Sequence, residues 1–368
     1  MNNGDIKMSL IVPASDLAAA LKGAAAIVQT KTTLPLLAMV RLVAENDTLE
    51  IVTTNLDIEY RQTLSANVAA PLSCCVDAAR LTAMAGTASG DMVMTLNGNI
   101  LTIKAGRSRW AAPAIPVADF PTMPVAKLSP AMKCANLPTI LSRTLWAASA
   151  EIHKAMLYGV FLNNDDGKAR WVSTDGIKLA SVVSGAKWPK GAPDVIVPAM
   201  MAKAMSGASG DGTATLEWDD AKLRFVCGSV TITGKMIDGS FPDYRRLMAD
   251  GECEPCTTDA GDLIDAVRRV RIASDAMQRK LRVNRQDGSL SIWIEGTSGF
   301  EGEEEIAADC SEGFETCINA DILIEMLRAM DADTISIEQS GASAKMYLRP
   351  VVQPDGMEFI GLIQPIRI

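Results

Sequence analysis

Apolar residues recur along this chain with two periods, and the periods alternate in a fixed order. Leu17, Leu21, Ala24 and Val28 have the spacing of one helical face behind a Ser15/Asp16 cap. Leu137, Leu141, Leu145 and Ala148 repeat that face, as do Leu263, Val267 and Val270 behind Thr257-Thr258-Asp259. Each predicted helix is followed by two β-rich runs joined by a polar cluster. The runs are 39–43 and 49–53 across Glu45-Asn46-Asp47, 159–162 and 170–173 across Asn163-Asn164-Asp165-Asp166-Gly167, and 281–283 and 290–294 across Asp287-Gly288. Asn, Asp and Gly between β-rich runs predict hairpins. Each second run ends in a threonine-led turn: Thr53-Thr54-Asn55, Thr174-Asp175-Gly176 and Thr297-Ser298-Gly299. More strand follows, then a second helix. Its stripe is clearest in Leu323, Met326, Leu327 and Met330, and weaker in Leu81 with Ala85 and Met201 with Met205. Two further strands close each unit, as 92–96 does with 100–104.

The pattern is a threefold repeat. A short strand meets the second helix at Ser73-Cys74-Cys75-Val76 before Asp77, at Val195-Ile196-Val197 before Pro198, and at Thr316-Cys317-Ile318 before Asn319. Those three junctions stand 121 residues apart, and Phe120-Pro121 recurs as Phe241-Pro242 at the same interval. The predicted fold class is α+β: three tandem repeats of a unit with two helices and an antiparallel sheet. Linkers fall near 123–127 and 250–255, which sets expected domains of 1–127, 128–252 and 253–368. Each is long enough to bury a core.

Composition narrows the function. Hydrophobic residues make up 48% and charged residues 21% of 368, the balance of an ordinary globular protein. No apolar run approaches the ~20 residues that span a bilayer, and Asp5, Asp16 and Lys22 break the pattern of a signal peptide. A cytoplasmic location is expected. Eight cysteines sit mostly in apolar or strand-like runs, which reads as buried thiols in a reducing compartment. A net charge of −9 argues against indiscriminate coating of nucleic acid, but permits positive charge gathered on one surface.

Catalytic chemistry is not legible. The single histidine, His153, has no nucleophile–acid pattern around it. Cys253-Glu254-Pro255-Cys256 stands in a linker with no second pair, so neither zinc nor another cofactor is expected. The glycines of 207–212 lack the Gly-Lys-Ser/Thr of a phosphate loop, and the acidic run 301–305 reads as a solvated strand edge.

Several motifs together resemble one family. They are Thr33-Leu34-Pro35-Leu36-Leu37, Gly106-Arg107-Ser108-Arg109, Ala118-Asp119-Phe120-Pro121, Thr174-Asp175-Gly176, Phe241-Pro242-Asp243-Tyr244-Arg245-Arg246 and the terminal Gln364-Pro365-Ile366-Arg367-Ile368. Their order and spacing are similar to those of the bacterial β sliding clamp, the processivity subunit of the replicative DNA polymerase. The resemblance implies a non-enzymatic ring of two head-to-tail subunits around duplex DNA, with helices inside and sheets outside. A ring that slides needs weak, sequence-independent phosphate attraction. Cations on or beside the predicted helices that suit this are Lys22, Arg80, Lys133, Arg143, Lys203, Arg268, Arg269 and Arg271, with Lys31 and Lys154 in loops that the family places near DNA.

By position, the family's partner-peptide pocket would be Leu157, Thr174, Gly176, Ile177, Lys178, Leu179, Pro242, Arg246, Leu247, Leu362, Gln364, Pro365, Ile366, Arg367 and Ile368. The implied partners are the polymerase, a clamp loader and repair proteins, each offering a short glutamine-led apolar peptide. The implied homodimer interface joins Arg107, Trp110 and Ala112 of one subunit to Ile272 and Ala273 of the other. Two of these are smaller than the leucines often found there, so a less tightly closed dimer is expected. Ala155-Met156 and Ala199-Met200 replace residues that often touch DNA. They motivate an alternative, a clamp-like scaffold that binds partner proteins but is weakly retained on DNA.

Overall fold

The computed structural model describes residues 8–367 apart from 30, 124–126, 130, 152, 209–211, 249–252, 275–278, 297–298 and 354–355. Six α-helices are present among the described residues: α1 (Ala14–Ala25), α2 (Ala78–Thr87), α3 (Leu137–Leu145), α4 (Ala199–Ser206), α5 (Ala260–Val270) and α6 (Ala320–Met330). Two fall in each repeat. The predicted apolar stripes are their buried faces: Leu17, Leu21 and Ala24 on α1, Leu263, Val267 and Val270 on α5, and Leu323, Met326, Leu327 and Met330 on α6.

The repeated strand–helix junctions have a local cause. Strands Leu72–Asp77, Val195–Pro198 and Glu315–Asn319 each end on the residue before a helix. The Asp77 carboxylate accepts the Arg80 N–H at 2.8 Å. The Asn319 side-chain oxygen accepts from Asp321 and Ile322 at 2.9 and 3.3 Å. Such caps satisfy the unpaired donors of a first turn, each worth about 1 kcal/mol.

The elements differ from expectation at their ends. A short strand precedes each opening helix, Met8–Pro13, Ala131–Ala135 and Cys256–Asp259. These are too short for their alternation to stand apart from the helical stripe that follows. Helix α1 begins after Pro13 with no side-chain cap, and Ser15 and Asp16 lie within its first turn. There Asp16 still faces the positive end of the helix dipole. Helices α1 and α3 stop before Val28 and Ala148. The closing strands number three in the first repeat, Asp91–Asn97, Ile100–Ala105 and Ser108–Pro113.

Contacts divide the chain into two compact units. One contains 1–138, 189–193 and 200–236; the other contains 139–188, 194–199 and 237–368. The first unit holds a five-stranded sheet in the order Asn67–Val68, Met8–Pro13, Asp91–Asn97, Ile100–Ala105, Ser108–Pro113. Its eight-stranded sheet runs Ala131–Ala135, Thr213–Trp218, Lys222–Cys227, Val230–Lys235, Ile58–Ser65, Thr48–Thr54, Met39–Glu45, Leu72–Asp77. The second unit repeats the plan. Its eight-stranded sheet runs Val195–Pro198, Gly159–Asp165, Lys168–Thr174, Lys178–Lys187, Glu358–Ile363, Met346–Pro350, Thr334–Glu338, Cys256–Asp259. Its four-stranded sheet runs Glu301–Ala307, Ser289–Glu295, Lys280–Gln286, Glu315–Asn319.

Each eight-stranded sheet is therefore built from two neighbouring repeats. The seams pair Ile232 with Tyr60, and Leu179 with Leu362. Joining two four-stranded sheets removes two edges whose backbone groups would otherwise need partners. Behind the second seam, a Cβ on Gly361 would collide with the Met326 sulfur, so glycine is what lets α6 approach the strand.

The eight cysteines form no disulfide; seven are buried and Cys253 is half-buried. The acidic run lies on Glu301–Ala307, an edge strand with Glu301, Glu303 and Glu305 exposed, as its polarity predicted. No described helix is long and apolar enough to cross a membrane.

Candidate functional site

The threonine-led turn of the middle repeat is held by its own side chains. Thr174 Oγ1 accepts the Gly176 N–H at 3.1 Å and donates to the Lys178 carbonyl at 2.7 Å. Asp175 Oδ1 accepts from Ile177 and Lys178 at 2.8 and 2.9 Å. Gly176 sits at φ +99°, a conformation glycine adopts without strain. The first repeat makes the same turn around Thr54 and Asn55, but there Leu56 occupies the left-handed region at φ +77°. In the third repeat, Thr297 and Ser298 lie outside the described residues.

This turn projects Ile177 into solvent at 55% exposure, beside an apolar cluster. The cluster consists of Val172, Leu179, Tyr244, Tyr347, Ile360 and Leu362, with Phe161, Phe241, Leu247 and Met248 packed against it. Phe161 stacks on Phe241 at 4.6 Å, and Tyr244 stands edge-on to both. Tyr244 exchanges hydrogen bonds with Asn163 at 3.1 and 3.2 Å, which fixes the Phe-Pro-Asp-Tyr segment to the strand Gly159–Asp165. The C-terminal segment lies alongside: Gln364 N–H donates to the Ile177 carbonyl at 2.8 Å, and Ile366 N–H to the Cys317 carbonyl at 2.7 Å.

Leu179, Leu247 and Leu362 of the sequence-derived pocket thus meet in one place, rimmed by Thr174, Gly176 and Ile177. Leu179 and Leu362 are almost fully buried and form its floor, while Leu247 is half-buried. Pro242 and Gln364 are exposed, and Pro365 and Ile366 half-buried. Lys178 is tied down, 3.2 Å from Glu325 and 5.3 Å above the Trp146 ring. Arg246 pairs with Asp243 at 2.9 Å while remaining 86% exposed, and Arg367 is exposed. Leu157 ends a short 3-10 turn with Ala155 and Met156, and Ile368 lies outside the described residues.

The ten cations divide into three groups. Lys22 on α1, Arg80 on α2, Lys203 on α4, Lys31 in a loop and Lys133 on the strand Ala131–Ala135 are all exposed. All five lie in the first unit. A second group is exposed or half-exposed but ion-paired. Lys154 bonds Glu151 at 2.8 Å, Arg268 bonds Asp265 at 3.0 Å, and Arg271 forms an ion pair with Asp321 at 2.6 Å. Arg269 forks onto both oxygens of Glu304, and this hydrogen-bonded pairing holds the Glu304 carboxyl below its usual range.

Arg143 stands alone in the third group, and it corrects the sequence reading. Its side chain is only 6% exposed, 3.9 Å from Asp331 and 4.0 Å from the Met357 sulfur. A guanidinium in that position cannot reach a phosphate without leaving the core. On its helix Arg143 lies away from the stripe of Leu137, Leu141 and Leu145, so the sequence pattern placed it outward, and only packing against Met357 from a distant segment buries it.

The proposed interface residues lie on two different features. Arg107, Trp110 and Ala112 are at the edge strand Ser108–Pro113 of the five-stranded sheet. Ala112 also lines a cavity of about 70 Å³ with Val76, Arg80, Leu81, Met84, Ile103 and Pro113. Ile272 projects from a 3-10 turn that follows α5 and is 84% exposed; Ala273 is the next residue.

Known proteins match this arrangement over nearly its whole length. The profile of the DNA polymerase III beta subunit N-terminal domain matches residues 8–124, and that of the central domain matches 131–243. The chain belongs to the DNA polymerase III beta subunit family. The beta sliding clamp of Caulobacter vibrioides is 28% identical over 378 residues, covering 98% of this chain and 100% of the relative. That of Pseudomonas aeruginosa is 27% identical over 355 residues, covering 94% and 95%. Among solved structures, a sliding clamp from Bartonella birtlesii bound to griselimycin superposes with a TM-score of 0.84 at 26% identity, covering 98% of this chain and 100% of that one. A beta subunit from Thermotoga maritima shares the fold at 16% identity with a TM-score of 0.85.

The chain is a DNA sliding clamp, a non-catalytic processivity factor whose partners are DNA and a DNA polymerase. The clamp fold accounts for the sheets and helices described above. Several residues of this apolar cluster were not singled out from sequence: Phe161, Val172, Tyr347 and Ile360. Each sits at an ordinary buried-strand or strand-edge position, and only the seam between two repeats brings them together.

Proposed function

We propose that two copies of this sliding clamp close head to tail into a ring around duplex DNA, each contributing three domains, 1–127, 128–252 and 253–368. The observation that carries the reading is a knob and a notch on one chain. Ile272 stands 84% exposed, and the cavity beside Ala112 is lined by Val76, Leu81, Met84 and Ile103. Carried to a second copy, the knob and the notch make a heterologous contact, and a heterologous contact that repeats twice closes a two-subunit ring. The two edge strands also carry opposite charge. Arg107 and Arg109 are exposed at one, Glu301, Glu303 and Glu305 at the other. That suits edge-to-edge pairing between subunits.

Inside the ring, exposed Lys22, Lys31, Arg80, Lys133 and Lys203 supply attraction to phosphates without reading bases. The cluster around Leu179, Leu247 and Leu362 receives a glutamine-led apolar peptide from the polymerase, a clamp loader or repair proteins. Three fully buried apolar anchors, each near the upper end of ~1.5–3 kcal/mol, approach the ~8 kcal/mol of micromolar affinity. The protein works in the cytoplasm with the replication machinery.

One observation favours a second reading, a partner-binding scaffold weakly retained on DNA. Arg143 is buried, and Lys154, Arg268, Arg269 and Arg271 are neutralised by carboxylates. The deciding experiment loads the protein with a bacterial clamp loader and ATP onto nicked circular DNA and gel-filters it at moderate salt. Half the sample is first linearised at a single site. Retention on circles with loss from linear DNA is the expected result. Equal loss from both favours the scaffold, and equal retention refutes sliding.

A further inference from the structure

We propose that Tyr347 is a positioning residue of the peptide pocket, holding Leu247 in place through its backbone carbonyl. The inference rests on the pocket reading above and names a residue which that reading does not contain.

Leu247 ends the 3-10 turn Tyr244–Leu247. The last hydrogen bond from that turn runs from Met248 N–H to the Arg245 carbonyl, so the Leu247 carbonyl needs a partner from elsewhere. Tyr347 supplies it: the hydroxyl donates to the Leu247 carbonyl at 2.6 Å. Lys345 Nζ donates to the same oxygen at 3.3 Å. At its other end the turn is held by the buried Tyr244 hydroxyl on Asn163. Between these two points hang Arg245, Arg246 and Leu247.

Tyr347 is well placed to transmit order. It is only 4% exposed, lies in register with Leu362 across the strand pair, and packs in the cluster with Leu179 and Leu362. One side chain therefore touches Leu179 and Leu362 through its ring and holds the Leu247 segment through its hydroxyl. A short, half-buried side chain-to-backbone bond of this kind restrains the Leu247 backbone before any peptide arrives, which lowers the ordering cost of binding.

The test is the substitution Tyr347→Phe, which keeps the ring and removes only the donor. A fluorescent glutamine-led peptide with two large apolar residues is titrated into the full-length protein, and thermal unfolding is recorded alongside. Affinity should fall three- to tenfold, about 0.7–1.4 kcal/mol. The discriminating readout is a double-mutant cycle with Leu247→Ala. If Tyr347 acts through Leu247, Tyr347→Phe has little further effect in the Leu247→Ala background. Unchanged affinity in Tyr347→Phe, or losses that simply add, overturns the positioning role while leaving the pocket intact. No binding by the unaltered protein overturns the pocket reading itself, and the positioning role with it.

Discussion

Truncating Ile272 to alanine tests ring closure with little disturbance to the protomer. The side chain is 84% exposed, so the folded subunit loses almost no packing. In a closed ring, the same side chain leaves water for the notch beside Ala112. Removing three carbons forfeits about 2.4 kcal/mol at ~0.8 kcal/mol per buried carbon. A head-to-tail ring of two subunits has two such joints, so the loss doubles to about 5 kcal/mol. At ~1.4 kcal/mol per tenfold, the dimer dissociation constant should rise by more than a thousandfold. Sedimentation velocity from low nanomolar to micromolar concentration reads this directly, and a melting curve verifies that the variant is folded. Equal dimer dissociation in the variant and the unaltered protein, with equal melting temperatures, refutes the knob-and-notch argument. The same series tests the looser dimer expected from the small Ala112 and Ala273. An unaltered protein with no monomer at low nanomolar concentration contradicts that expectation.

Three further outcomes follow from burial. Reversing charge at Lys22, Lys31, Arg80 and Lys203, all exposed on the first unit, should shorten the half-life on circular DNA and leave melting nearly unchanged. Arg143→Ala should do the opposite, lowering stability by about 1–3 kcal/mol through lost packing while sparing DNA retention; the reverse ranking would put Arg143 back among the DNA contacts. Burial pushes the Cys74 thiol from 9.0 up to about 12, Cys75 to about 11 and Cys256 to about 12. A raised thiol pKa favours the neutral folded form, so this contribution is intact below pH 9 and disappears as pH rises through 11 to 12. Urea midpoints should fall across that window, and fall less steeply in a Cys74→Ala/Cys75→Ala/Cys256→Ala variant; identical slopes would refute the linkage.

The sequence by itself determined what depends on neighbours along the chain. Periods of two and 3.6 residues separated strands from helices, and Asp77 and Asn319 marked helix starts because a cap acts within three residues. The 121-residue interval established three copies of one unit, and the acidic run 301–305 was recognisable as a solvated edge. The motifs from Thr33 to Arg367 pointed to the family, and with it to Leu179, Leu247 and Leu362. Tertiary structure decided what depends on residues far apart. Val230–Lys235 joins Ile58–Ser65, and Lys178–Lys187 joins Glu358–Ile363, across more than 160 residues in each case. Nothing local in a strand names its partner, since the alternation is the same whichever edge it meets. The same non-locality hid Arg143, whose charge resembles that of Lys22 in the sequence but whose helix turns it inward against Met357. It also hid Tyr347, which reads as one more strand aromatic until the fold carries it to the Leu247 carbonyl.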